Sequence, residues 1–210
     1  MNQIYDIVLA LENKQLLIFD FDGTVANTTP MHASAFKKVL SPLGIDVQYP
    51  CIAGLKTADA LIHCASAHGL ELSEDQIKEL QIAKQTLVRE LITIELEPIK
   101  DADWFLDWAT QKFHLAMATS GSRGTVSLSL DKLGFTHLFN PLVCADDIEK
   151  AKPHPDSFLR VLSLTGYQPN QALVFEDSEA GLAAAHAAGI SCISINQGSW
   201  SEFKKQIHEI

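Results

Sequence analysis

No apolar run in this 210-residue sequence approaches the about 20 residues that a membrane-spanning helix needs, so no membrane partner is expected. Positive charge is scarce: 16 Lys and Arg stand against 26 Asp and Glu, a formal charge of −10, and no basic stripe is present. Binding to nucleic acid depends on clustered cations that neutralise phosphates, so no nucleic-acid partner is expected. An anionic small molecule would need a local positive site against the field of the whole chain. Cysteine is sparse, and Cys51, Cys64, Cys144 and Cys192 are too widely spaced for any C-x-x-C pair. Neither a zinc site nor a disulfide framework is expected; buried reduced thiols are. The stretch MNQIYDIVLALENKQ carries neither the basic flank nor the cleavage signal of a secretory leader, so a cytoplasmic location is expected. Internal repeats and low-complexity tracts are absent.

What the sequence has is apolar content, 47%, enough for one core domain and a satellite. LLIFD (16–20) reads as a buried strand: four apolar residues, too short for a helix, closed by a glycine-containing turn. From Thr29 to about Glu95 the patterning is helical only. Thr29-Pro30 opens a helix on which Met31, Ala35, Phe36, Val39, Leu40 and Leu43 recur at helical spacing up to Gly44. A second helix spans Thr57 to Gly69. A third opens at SEDQ, where Ser73 and Gln76 make a capping box, with Ile77, Leu80, Leu87, Val88 and Leu91 on one stripe.

After Pro98 helices and strands alternate: a helix at DADWFLDWATQKF, strand HLAMAT, a helix ended by Gly134, strand PLVCA and a helix at DSFLRVLSLTG. Strand ALVFED, the alanine-rich helix SEAGLAAAHAAG and strand SCISIN follow. This pattern predicts an α/β fold, a Rossmann-like parallel sheet with helices on both faces. The expected organisation is a core of 1–27 and 96–210 with an inserted all-helical domain, 28–95. Trp104, Phe105 and Trp108 are expected in the packing, and His186 is assigned no chemical role.

Ligands of open parallel sheets bind beyond the carboxyl ends of the strands. The polar residues at those ends are Asp20 and Asp22, then Thr119 and Ser120, then Lys152, then Glu176 and Asp177. Carboxylates, hydroxyls and one lysine from four strand ends are the composition of a magnesium and phosphate site.

DFDGT, MATSGS, KPHPDSF and EDSEAGLAAAHAAG, in that order, resemble the four motifs of the haloacid dehalogenase superfamily of phosphotransferases. The helical insertion resembles the small cap of the subgroup that contains β-phosphoglucomutase and sugar-phosphate phosphatases, and NTTPMHASAF resembles its fructose-1-phosphatase-like members. The resemblance covers nearly the whole chain. It implies a phosphatase acting on a small phosphorylated metabolite, expected as a monomer or weak dimer.

Phosphate monoesters hydrolyse so slowly that enzymes reach accelerations of about 10²¹, on the order of 28 kcal/mol, so several groups must act together. In this reading Asp20 attacks phosphorus in line and forms an aspartyl-phosphate. Asp22 serves as acid to the leaving alcohol and then as base to water, and residues i and i+2 of an extended chain point the same way. Gly23 permits the turn that follows, and Thr24 braces it. A phosphate dianion beside Asp20 and Asp177 brings about four negative charges together, which Mg²⁺ and Lys152 offset with three positive ones. Magnesium is assigned to the Asp20 carboxylate, the Asp22 backbone carbonyl and Asp177, with Glu176 acting through water. The Thr119 hydroxyl and the Ser120 amide, taken as the start of a helix, would hold phosphate oxygens, with Gly121 allowing close approach.

Within the insertion His32 matches a position that in the family often faces the cleft. Lys84 reads as a solvated helix face that could alternatively reach a leaving group. The mutase members carry an arginine where this chain has Thr57, with Lys56 beside it, and lysine lacks the bidentate fork of arginine. That departure favours a hydrolase over a β-phosphoglucomutase-type isomerase. A phospho-acceptor module of the response-regulator type remains open, although it would need neither a cap nor Asp22.

Overall fold

The computed structural model describes residues 6–52, 55–196 and 198–208. In chain order these form α1 (Ile7–Leu11), β1 (Leu16–Phe19), α2 (Thr29–Leu40), α3 (Thr57–Ala67) and α4 (Glu74–Glu95). Then come α5 (Ala102–Thr110), β2 (His114–Ala118), α6 (Arg123–Leu133), β3 (Leu142–Val143) and α7 (Asp156–Thr165). The chain closes with β4 (Ala172–Glu176), α8 (Glu179–Ala187), β5 (Ser191–Ser194) and α9 (Ser199–His208). Two compact units result, Met1–Asn27 with Glu97–Ile210, and Thr28–Leu96.

The first unit is built on a five-stranded, all-parallel sheet in the order β3-β2-β1-β4-β5. β1 lies at its centre and every residue of it is buried, as expected of a strand covered on both faces. Side chains alternate between the faces. Leu16 and Ile18 join Ala116, Val143, Phe158, Val161 and Val174 on one side. Phe19 belongs to an aromatic cluster with Phe105, Phe139, Phe175 and Trp200; the Phe19 and Phe175 rings stack at 4.9 Å. The small residues of α8 have a physical use: a Cβ on Gly181 would overlap the Glu176 carboxylate, so only glycine lets the helix pass there.

The second unit is helical, with no strand among its described residues. Phe36, Val39, Leu40, Ile45, Ile52, Ala60, Leu61, Cys64 and Ala65 form its core. The capping box that opens α4 is complete: Ser73 Oγ accepts from Gln76 N–H at 3.2 Å, and the Gln76 side chain accepts from Ser73 N–H at 2.9 Å.

The α/β reading and the run of elements hold, with four differences. The third strand is cut to two residues, because only Met117 and Ala118 of β2 pair with it. Two helices that the patterning does not announce, α1 and α9, belong to the sheet unit, and α9 sends Trp200 and Phe203 into the aromatic cluster. All four cysteines are free, but only Cys64 and Cys144 are buried; Cys51 is exposed and Cys192 half-buried. Of the three helix aromatics, Phe105 is fully buried, whereas Trp104 and Trp108 stack on each other half-exposed. His186 is exposed on α8. Among the described residues no helix is long and apolar enough to cross a membrane.

Candidate active site

The register of the sheet assembles the site. Phe19 is level with Met117 on one side and Phe175 on the other, so the next residue of each chain segment, Ala118, Asp20 and Glu176, stands in one row at the carboxyl edge. Lys152 spans that row. Its ammonium donates to Asp20 Oδ1 at 2.6 Å, to Ala118 O at 2.9 Å and to Glu176 Oε2 at 2.6 Å, which uses all three of its protons. Its side chain is 5% exposed and lies 5.1 Å from the centroid of the Phe158 ring.

Two buried carboxylates around one ammonium leave a negative balance. Burial and the Glu176 charge push the Asp20 pKa well up, against the pull of Lys152, and nearby Asp22 adds to the rise. The two carboxylates in turn raise the pKa of Lys152 despite its burial, so the ammonium stays charged. Asp177, on the exposed side of the cluster, is pushed up to about 6, first by desolvation and then by Glu176.

Glu176 is fixed on both oxygens. Oε2 takes Lys152, while Oε1 accepts from the Asp177 and Ser178 amides at 3.1 Å each and from Ser178 Oγ at 2.8 Å. Ser178 also caps α8, its hydroxyl accepting from Gly181 N–H at 3.1 Å. Thr24 Oγ1 donates to Asp177 Oδ1 at 3.4 Å. Gly23 holds φ +86°, and a Cβ there would overlap the Asp177 carboxylate, so this turn needs glycine for both conformation and space.

One oxygen each from Asp20, Glu176 and Asp177 lies within 4.8 Å of the others. Hard oxygen donors at the open end of a sheet, with a surplus of negative charge, suit a cation of the Mg²⁺ class.

Thr119 is buried beside this row, and its Oγ1 accepts from Gly121 N–H at 3.0 Å. A Cβ on Gly121 would stand 3.5 Å from Asp22 Oδ2 and 3.4 Å from Thr119 Oγ1, so Asp22, Thr119 and Gly121 face a common space. Asp20, Asp22, Thr119, Lys152, Glu176 and Asp177 are therefore brought together.

Two expectations need correction. Ser120 is not at a helix start: α6 begins at Arg123, its N-cap is Ser122, and the Arg123 N–H is taken by Asp146 Oδ2 at 2.6 Å. The Ser120 amide therefore belongs to the loop before the helix. Lys84 is not on a solvated face. It is buried in the helical unit, where Nζ lies 3.0 Å from His32 Nδ1 and 4.6 Å from the centroid of the Phe36 ring. Lys84 follows Leu80 and precedes Val88 by four residues each, so the apolar stripe already put it on the inner face. His32 itself is half-buried. Two long-range contacts had no such signal: Arg123 Nη2 donates to Asp147 Oδ2 at 2.5 Å and Leu142 O at 3.0 Å, and the Trp200 indole donates to Thr24 O at 2.8 Å.

The sheet, with its acids at the carboxyl edge of the central strands, defines a Rossmann-like enzyme core. The chain belongs to the haloacid dehalogenase-like hydrolase family, whose sequence profile matches residues 17–195. It is similar to fructose-1-phosphate phosphatase YqaB of Escherichia coli, 30% identical over 179 residues that cover 85% of this chain and 95% of that protein. It is also similar to a phosphorylated carbohydrates phosphatase of Thermotoga maritima, 28% identical over 193 residues and 88% of each chain. In fold it resembles the crystal structure of CbbY from Rhodobacter sphaeroides in complex with phosphate, with a TM-score of 0.76, 24% identity and coverage of 86% of this chain and 85% of that one.

Proposed function

We propose that this protein is a Mg²⁺-dependent phosphatase that hydrolyses a small phosphorylated metabolite, a sugar phosphate of the fructose-1-phosphate kind, through an aspartyl-phosphate on Asp20. The observation that carries this reading is the Lys152 ammonium held 2.6 Å from both Asp20 and Glu176 at the head of the central strands. Lys152 engages Oδ1 of Asp20 and orients the carboxylate, leaving Oδ2 for in-line attack on phosphorus. As the phosphoryl group arrives, the ammonium also offsets the charge that builds beside it. Thr119 accepts from Gly121 and so keeps its own proton to donate to a non-bridging oxygen, and the Ser120 amide supplies a second donor. Asp22 protonates the leaving alcohol and then takes a proton from the attacking water.

Asp20, the Asp22 carbonyl and Asp177 would hold Mg²⁺, with Glu176 contributing through water. The bound ion would draw off the negative charge that this carboxylate cluster and the phosphate share. Substrate choice is assigned to the helical unit Thr28–Leu96, with His32 as a contact. The names of the similar proteins support the substrate class.

The test is phosphate release over a panel of phosphorylated sugars, glycolate and nucleotides, with and without Mg²⁺. Mg²⁺-dependent release from a sugar phosphate, abolished in a folded Asp20→Asn variant, is expected. Conversion of β-glucose 1-phosphate to glucose 6-phosphate without free phosphate would show an isomerase instead. A phospho-Asp20 form that persists for hours would show a phospho-acceptor.

A further inference from the structure

The loop that follows β1 is tied to itself, to the backbone of Ile99 and to two distant side chains. Phe21 O accepts from the amides of Thr24, Val25 and Ala26, and Gly23 N–H donates to Ala26 O at 2.9 Å. The carbonyl of Thr24 points out of this tight turn into a buried region, where no amide of the turn meets it. Its partner is the indole of Trp200 on α9: Nε1–H donates to Thr24 O at 2.8 Å, across 176 positions of sequence. Thr24 is fully buried and Trp200 is 1% exposed, so water cannot take over either half of this bond. The ring is held by Phe105 at 4.8 Å, Phe175 at 5.3 Å and Phe203 at 5.7 Å, which fixes the direction of the N–H. On its other side Thr24 bonds the Asp177 carboxylate through Oγ1, and Gly23 packs against the same carboxylate.

We propose that Trp200 is a positioning residue for the metal-binding carboxylate. Through its indole N–H it fixes Thr24, and Thr24 and Gly23 fix Asp177. Helix α9 is thereby part of the machinery of the site without touching substrate. This rests on the proposed Mg²⁺ site. It follows from the rule that outer partners of metal ligands set the geometry of those ligands. A purely structural Trp200 would contribute ring packing alone.

Trp200→Phe separates the two roles, because it keeps an aromatic ring in the cluster and removes the donor. Calorimetric Mg²⁺ titration of the purified protein is expected to show about 10-fold weaker binding in Trp200→Phe. Phe139→Leu, which loosens the same aromatic cluster through Phe19 and leaves the rings around Trp200 in place, is expected to lower the melting temperature with Mg²⁺ affinity unchanged. Equal Mg²⁺ affinity in Trp200→Phe and the parent, at a temperature where both are folded, overturns the proposal. So does an equal weakening in Phe139→Leu. Should Trp200→Phe fail to fold, the unaltered protein decides: Mg²⁺ shifts the Trp200 indole ¹H–¹⁵N resonance and leaves those of Trp104 and Trp108 in place, and an unmoved Trp200 resonance overturns the proposal. If the unaltered protein releases no phosphate from any substrate while Mg²⁺ binding weakens in Trp200→Phe, the phosphatase reading fails and the role of Trp200 stands.

Discussion

Replacing Lys152 with methionine removes the ammonium while keeping most of the buried stem. The carboxylate oxygens of Asp20, Glu176 and Asp177, within 4.8 Å of one another, then face each other without a cation of the chain between them. Two unit charges at that separation repel by about 3.5 kcal/mol at an effective dielectric of about 20, equivalent to about 2.5 pKa units. Stripping one partner from a buried ion pair typically costs about 3–5 kcal/mol, in line with that figure. In a chain of this size the loss corresponds to a fall in melting temperature on the order of 10 °C. The carboxylate cluster of the variant retains a proton that the unfolded chain has released, so its stability falls as pH rises from about 4 to about 6.5. In the parent protein Asp20 is already pushed up, but the Lys152 charge opposes that rise, so the same slope is shallower. The assay is thermal unfolding in chelator across that pH range, followed by phosphate release with Mg²⁺ restored, in which the variant should be inactive. A variant whose melting temperature and pH slope match the parent, with activity retained, would refute the idea that this ammonium holds the cluster together.

Asp22→Asn should lower kcat by about 10²–10⁴-fold, the contribution of a general acid and base. Its Mg²⁺ affinity should persist, because the proposed contact is through the backbone carbonyl; steady-state kinetics and calorimetry check the pair. Gly23→Ala forces a Cβ into the Asp177 carboxylate at φ +86° and should weaken Mg²⁺ binding at least about 10-fold by titration. Asp101 accepts from Lys204 Nζ at 2.8 Å and from Ser201, joining the start of α5 to α9, and these bonds hold its pKa below the usual carboxylate range. That stabilisation is present above the unfolded pKa and lost as pH falls through the folded value. Asp101→Asn should therefore melt lower than the parent at pH 7, with the gap closing below about pH 4.

Much of this protein was legible in its sequence because strand ends in a parallel sheet are punctuated. Asp20, Thr119 and Glu176 each follow a short apolar run at once, and in such a sheet the run alone fixes where the polar residue emerges. The capping box of α4 was equally local, since Ser73 and Gln76 need only each other. Other features depend on partners far along the chain, which no local pattern contains. Lys152 could be named as a candidate, but only the register that sets Ala118, Asp20 and Glu176 in one row gives its three protons their acceptors. Helix α6 starts past Ser120, at Arg123, whose amide finds its acceptor in Asp146, 23 residues further along the chain. The stripe of α4 puts Lys84 on the inner face, but only the fold supplies the aromatic ring and imidazole of α2 that meet it there. Trp200 bonds Thr24 across 176 positions. Sequence by itself determined the elements, α1 and α9 aside, and the kinds of groups at their ends, because those follow from period and local hydrogen bonding. The tertiary structure decided which acceptor each buried donor finds, because a buried polar group must be satisfied by whatever the fold brings beside it.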